Sequence, residues 1–358
     1  MTILALCWHP GKTNIQTAGG FKRFYEVLKH APCPVTVLDK YPSIYSQINN
    51  PRVTVIEYGR NREFTWITDR FVSACYLLLQ AFRLRPRPSV IYVPFSELPH
   101  LSFVAVILKL AFHCRLVFCN LNINRIYTDR LANVFFHLFA DEIITLSKPL
   151  QNDLAKTGIF ATYVNGVGYA PRTTSIRHIK KLYDAIFIGR HTQEKGFKDM
   201  LEIWDILVNQ CSHKLKLVTI GDIPLVSKKG IDATIRRLDL GDTINFRGNV
   251  SDDQKNLLIG QSKICVFPSY FEGWGIVPME CLSAGLPVVA YNLPVYRESI
   301  SSSKAFRVVP LGDKERFASE VISVLKHYLQ LSREALKWEP AYTWDAISHK
   351  EWKLICPS

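Results

Sequence analysis

The sequence has no Cys-x-x-Cys pair, and none of its cysteines has zinc-ligand spacing, which argues against a zinc module. Its nine cysteines are an odd number, scattered from Cys7 to Cys356. Several lie inside strand-like apolar runs, where a free thiol packs as a small hydrophobe. That pattern points to a reducing compartment rather than a disulfide framework. Long hydrophobic runs are lacking too. The longest, Leu101 to Cys114, is interrupted by Lys109 and falls short of the ~20 residues needed to cross a bilayer. The amino-terminal stretch Met1 to Lys12 is apolar but short and has no basic leader. It reads as a first β-strand, not a signal peptide. The expectation is a cytoplasmic protein without a transmembrane segment.

What is present suits two domains. The chain has 358 residues, and 48% of them are hydrophobic, enough for two cores. Net charge is +13. Residues 1–168 carry 18 basic and 10 acidic side chains, and the remainder 26 and 21, so the first half is the more basic. A basic surface attracts anionic lipid, phosphorylated substrates or nucleic acid alike.

Short apolar runs ending in glycine or polar loops recur along the chain, each followed by a helical period. In the first half they include Thr2–Cys7, Val35–Leu38, Val53–Glu57, Val90–Val93, Leu116–Cys119 and Glu142–Ser147. In the second half they are 184–189, Lys214–Ile220, Ile244–Val250, Ile264–Phe267 and Val288–Ala290. This is the doubly wound α/β pattern, whose ligands bind at the carboxyl ends of the strands. Four polar loops sit at such ends in the second half: Gly189-Arg190, Gly221-Asp222, Gly248-Asn249 and the loop holding Glu272. The polar stretch from Tyr169 to Lys181, without apolar period, reads as an interdomain linker.

Three places could hold an anion. Gly19 and Gly20 lie between the first strand and a helix from Phe21 to Lys29, in a phosphate-competent turn that a simple tight turn explains equally well. Arg190 and Lys195 lie between a strand and a helix; two permanent cations there suit a diphosphate, though a solvated basic loop is the alternative. The stretch Cys265 to Ile300 forms a strand, a Gly-rich loop with Glu272-Gly273-Trp274-Gly275, and a helix that Pro278 is expected to open. Its helix N-terminus would offer the N–H groups of Gly275, Ile276 and Val277 to an anion. Glu280, expected in the first turn, could serve the helix dipole alone. The segment 64–85 reads as a helix with Phe64, Ile67, Phe71, Cys75, Leu78 and Phe82 along one stripe, flanked by Arg62, Arg70, Arg83, Arg85 and Arg87. It is either a core-facing helix with a solvated basic face or a helix that touches an anionic membrane surface.

The string Phe271 to Ala290, with Glu272 and Glu280 separated by seven residues, resembles the E-x7-E signature of the family 4 retaining, nucleotide-sugar-dependent glycosyltransferases. Gly189-Arg190 and Lys195-Gly196 match that family's G-R-x-x-x-x-K-G element. Asp141, Ser147, Asn165 and Gly166 match the motifs that close its first domain. The likeness spans nearly the whole chain, strongest from 185 to 300.

The resemblance implies the GT-B fold: two doubly wound Rossmann-like domains facing a cleft. The domains would be an acceptor-binding domain (1–168), a linker (169–182), a nucleotide-sugar domain (183–340) and a tail helix (341–358) crossing back to the first. It implies hexosyl transfer with retention, from a UDP- or GDP-sugar to a glycan or lipid-linked acceptor. No metal, cofactor or nucleic acid is called for, and no acidic D-x-D motif accompanies Arg190. The protein would be peripheral on the inner membrane face. By resemblance Arg190 and Lys195 hold the departing diphosphate, Glu280 the ribose hydroxyls, and Glu272 the donor sugar. Gly19 and Gly20 would lie beside the diphosphate, with the segment from Arg247 to Val250 bordering the base; Gly221 and Asp222, at a strand end, are further substrate-binding candidates. One departure is Asn120, at the place where many relatives carry a sugar-contacting His; Asn hydrogen-bonds but cannot act as a base. The alternatives are a nucleotide-sugar epimerase on the same fold and an inactive sugar-nucleotide-binding partner subunit. A glycoside hydrolase fits poorly, because its two carboxylates must flank one scissile bond.

Overall fold

Runs that are apolar on every position become strands buried on both faces, as a parallel sheet covered by helices requires. In the computed structural model they form two fully parallel sheets, of seven and six strands. The structure describes residues 1–8, 19–58, 66–96, 98–121, 127–164, 166–168, 179–212, 214–300, 303–340 and 342–357. Most of the expected linker (169–178) lies outside these residues, as do Arg62, Phe64, Asn122, Asn124 and Asn165. The chain divides into two units, Met1–Gly168 with Tyr342–Ser358, and Tyr169–Ala341.

In the first unit the elements run β1 (Ile3–Leu6), α1 (Gly19–Lys29), β2 (Val35–Asp39), β3 (Val53–Glu57), α2 (Trp66–Arg83), β4 (Val90–Val93) and α3 (Pro99–Phe112). They continue with β5 (Arg115–Asn120), α4 (Tyr127–His137), β6 (Glu142–Thr145), α5 (Lys148–Ala155) and β7 (Thr162–Tyr163). The sheet order is β3-β2-β1-β4-β5-β6-β7.

The second unit runs β8 (Tyr183–Ile188), α6 (Phe197–Gln210), β9 (Leu217–Ile220), α7 (Leu225–Arg237), β10 (Ile244–Phe246), α8 (Asp252–Gln261) and β11 (Ser262–Phe267). Then come α9 (Ile276–Ser283), β12 (Val288–Tyr291), α10 (Tyr296–Ser299), β13 (Phe306–Val309), α11 (Lys314–Lys326) and α12 (Tyr328–Ala335). Its order is β10-β9-β8-β11-β12-β13. Both sheets start in the middle, build outward to one edge, then reverse. The reversal falls between β1 and β4 in one unit and between β8 and β11 in the other, and such switch points open a crevice at the strands' carboxyl ends.

The second core closes where α6 buries Phe197, Met200, Leu201, Trp204 and Leu207 at helical spacing. The last helix, α13 (Trp344–Ile355), packs on the first unit. Its Glu351 is fully buried, paired with the Arg23 guanidinium and accepting the Tyr92 hydroxyl. Trp352 donates its indole N–H to the Val27 carbonyl at 2.8 Å.

Two sequence expectations are corrected. The Phe71, Cys75 and Phe82 stripe of α2 does not face the core; Phe71 is 72% exposed, and Cys75 and Phe82 are also exposed. The buried face is made of Ser73, Ala74, Leu77 and Ala81. Both faces of this helix are apolar, so periodicity finds the stripes without saying which one turns inward; the small side chains permit close packing. Nor does Pro278 open α9. The helix starts at Ile276, with Gly275 as N-cap. Proline is tolerated in this first turn because its missing N–H would be unpaired anyway. Glu280 therefore lies in the second turn, where the dipole argument made for it loses force.

Candidate active site in the second unit

The loops that follow β8 and β11 flank the switch point, and the backbone joins them directly. Gly196, the N-cap of α6, has φ +65°. A Cβ there would meet the Pro268 carbonyl oxygen at 1.7 Å, so only glycine lets the two loops touch. The Tyr270 N–H donates to the Glu194 carbonyl at 2.9 Å. Asp199, in the first turn of α6, accepts the hydroxyls of Tyr270 (2.6 Å) and Tyr291 (2.7 Å). Burial and that carboxylate push the Tyr270 hydroxyl up to about 12.

This frame brings Lys195 and Glu272 together across the switch point, Nζ to Oε1 at 2.6 Å. Both side chains are partly accessible, 23% and 10% exposed. Arg190 extends into solvent, its guanidinium 3.5 Å from Glu194. Behind the loop, Gly275 has φ +92°, and a Cβ there would fall 2.8 Å from the Tyr296 ring. Glycine thus lets α9 begin against that ring, with the first-turn N–H groups of Ile276 and Val277 directed as helix geometry requires. Among the described residues, the Tyr296 hydroxyl and the Trp274 indole N–H are buried without a hydrogen-bond partner. Burial, with the Glu272 charge added, holds the Tyr296 hydroxyl well above its ordinary pKa.

Glu280 is buried and grips Lys255 of α8, its two oxygens 3.1 and 3.0 Å from Nζ. Lys255 also lies 2.9 Å from Asp252. The sequence reading missed Lys255, which looks like any polar residue of a surface helix. Gly221 and Asp222 pack against the same edge: the Gly221 N–H donates to Gly248, and the Asp222 carbonyl accepts the His191 N–H. Arg247 is exposed and leans the other way, toward the Tyr183 hydroxyl (3.5 Å) at the amino end of β8. Val250 is half-buried just ahead of α8.

The candidates of the first unit also meet at its switch point. Gly19 and Gly20 open α1, and a Cβ on Gly20 would meet Leu121 at 3.0 Å and Phe95 at 3.3 Å. Leu121 follows Asn120, which is buried at the end of β5.

His191, also missed by sequence reasoning, is buried among Phe187, Phe197 and Phe246, with Nδ1 facing the Asp222 carbonyl at 3.1 Å. Burial lowers its pKa to about 4 against the raising effect of Asp222. The unfolded chain therefore takes up this proton first, near pH ~6.5, and stability present above that pH is lost between ~6.5 and ~4. The loss is of order 3 kcal/mol. Denaturant unfolding at neutral and mildly acidic pH should show the parent losing more stability than His191→Phe; equal losses would refute the assignment.

Among the described residues no group of three His, Cys, Asp or Glu could hold a metal ion. Among them also, no helix is long and apolar enough to cross a membrane.

Two units, each a fully parallel doubly wound sheet, have the architecture of the GT-B fold. Residues 174–338, which lie in the second unit, match the family model for glycosyl transferases group 1. A phosphatidyl-myo-inositol mannosyltransferase of Mycobacterium leprae is 25% identical over 52% of this chain and 49% of its own length. An uncharacterized glycosyltransferase of Haemophilus influenzae is 27% identical over 60% and 61%. The chain thus spans about half to three fifths of the length of these relatives. Among solved structures, Anabaena HepE in complex with UDP and glucose superposes with a TM-score of 0.73 at 16% identity, over 97% of this chain and 94% of HepE. WaaG, a glycosyltransferase involved in lipopolysaccharide biosynthesis, gives 0.75 at 14% identity over the full length of both. At such identities the likeness is one of fold.

Proposed function

We propose that the chain is a retaining, metal-independent glycosyltransferase of family 4. It moves a hexosyl unit from a UDP- or GDP-sugar to a glycan or lipid-linked acceptor, without cofactor or nucleic acid. The observation that carries this reading is the Lys195–Glu272 pair at the switch point of the second sheet. Residues 183–340 take the donor and residues 1–168 the acceptor, at the inner face of a membrane when the acceptor is a lipid.

Donor diphosphate entering beside α9 draws Lys195 toward its phosphate oxygens, with Arg190 free to swing in from solvent. The N–H groups of Ile276 and Val277 point to the same anion. Glu280, already oriented by Lys255, accepts ribose hydroxyls. As the bond between the anomeric carbon and the phosphate oxygen breaks, negative charge grows on the nucleoside diphosphate, and Lys195 and Arg190 offset it without a metal. Glu272, released from Lys195, sits near the sugar and steadies positive charge at the anomeric carbon. The acceptor oxygen bonds to that carbon on the face the leaving group vacates, and its proton passes to the departing phosphate. Support comes from the group 1 match of the second unit and from the mannosyltransferase named among the relatives.

Thermal-shift titration with UDP-, GDP- and ADP-sugars tests the reading. A UDP- or GDP-sugar should raise the melting temperature by mass action, by about 2.7 kcal/mol of added stability at a hundredfold excess over Kd. No response to any nucleotide sugar would overturn it.

A further inference from the structure

Helices α2, α3 and α4 pack side by side on the first unit, and all three turn large apolar side chains to solvent. On α2 these are Phe71, Leu79 and Phe82, the stripe that periodicity alone would have sent inward. On α3 they are Phe103 and Leu110, the latter 60% exposed. On α4 and its end they are Leu131, Phe135 and Leu138, the last 73% exposed. Ring contacts bridge the helices: Phe82 lies 5.2 Å from Phe112, and Phe103 lies 6.1 Å from Phe136. The face is therefore continuous, not a scatter of single exposed residues, and a patch of this kind on a soluble surface marks an interaction site.

Charge identifies the occupant. Arg83, Arg85 and Arg87 are exposed where α2 ends, and the Arg87 guanidinium lies 5.3 Å over the Phe112 ring. On α2 and α3 no acidic side chain is exposed. Past the end of α4, Asp141 is exposed but paired with Lys109 of α3 at 2.7 Å. Asp69 accepts the Trp8 indole N–H and pairs with Lys40. An apolar face with a cationic fringe complements an anionic lipid surface, where aliphatic and aromatic groups enter the headgroup layer and arginines meet phosphates. A second copy of the chain fits less well, because a two-fold contact would set the same arginine fringe near its own image.

We propose that α2, α3 and α4 form a docking face for an anionic phospholipid bilayer, with Phe71, Leu79, Phe135 and Leu138 entering it and Arg83, Arg85 and Arg87 on its phosphates. The inference rests only on the membrane part of the reading above, not on the transfer chemistry.

Flotation of the full chain with vesicles tests it. The protein should rise with vesicles of phosphatidylcholine mixed with phosphatidylglycerol, rise less with pure phosphatidylcholine, and be partly released by high salt. Phe71→Ser with Leu79→Ser, or Phe135→Ser with Leu138→Ser, should weaken vesicle binding about tenfold or more, as expected for losing two inserted side chains. Arg83→Glu with Arg87→Glu should abolish the preference for the anionic lipid. All these variants alter exposed positions, and the thermal-shift response to nucleotide sugars should match the parent's, which separates failure of docking from failure of donor binding. The proposal is overturned if the parent stays down with anionic vesicles or if the serine variants float like the parent. It is equally overturned if light scattering finds a parent dimer that the serine variants split.

Discussion

Lys195→Ala is expected to lower the rate of sugar transfer by about 10²–10³-fold, as does loss of one preorganised group facing developing charge in a water-poor site. Lys195 is held by a 2.6 Å contact with Glu272 on the rim where β8 and β11 diverge. In the reading above it trades that carboxylate for the leaving diphosphate, so its charge matters most as the anomeric bond breaks. The loss should therefore fall on kcat more than on donor affinity. Lys195→Arg should recover part of it, because arginine keeps the charge but presents a planar fork instead of a compact ammonium. Single-turnover release of nucleoside diphosphate reads the step directly. Undiminished release in Lys195→Ala would show that the charge at this position does not stabilise the leaving group.

Lys255→Met should destabilise the second unit by about 3–5 kcal/mol, the cost of removing one partner from a buried ion pair. Glu280 and Lys255 are 7% and 5% exposed, and both carboxylate oxygens lie within 3.1 Å of Nζ. Replacing the lysine by a residue of similar length keeps the volume and deletes the charge, leaving the carboxylate deep in the unit without that cation. At roughly 2–4 °C per kcal/mol for a domain of this size, the melting temperature should fall by about 6–20 °C. The double variant Lys255→Met/Glu280→Met should regain most of the loss, since removing both charges removes the penalty. A double-mutant cycle with no coupling would refute a pair that matters to stability. The reading of Glu280 adds a second consequence: Glu280→Gln should weaken binding of the nucleotide, since it removes the charge and turns one accepting oxygen into a donating NH2.

The strands were legible because a parallel sheet needs residues apolar on both faces, a requirement met only by short unbroken runs such as Val90–Val93 and Val288–Tyr291. The glycine-bearing loops at their ends were legible for a related reason: close backbone approaches, such as Gly196 on Pro268, admit no side chain. Other features were not. Leu101 to Cys114 showed an apolar stretch but not the helix α3, because both its inner and outer faces are apolar. The same ambiguity left the orientation of α2 open between core and solvent. Lys255 gave no signal, since its role depends on a carboxylate 25 residues away.

Taken alone, the sequence determined the alternation of strand and helix, the glycines at the strand ends, and the residue types around Glu272 and Glu280, because each is set by local backbone needs and near neighbours. The tertiary structure alone decided that Lys195 closes on Glu272, that Lys255 holds Glu280, and which apolar face of α2 meets water. Those depend on which distant elements come to lie side by side, and the period of side chains along one helix or strand carries no record of its neighbours.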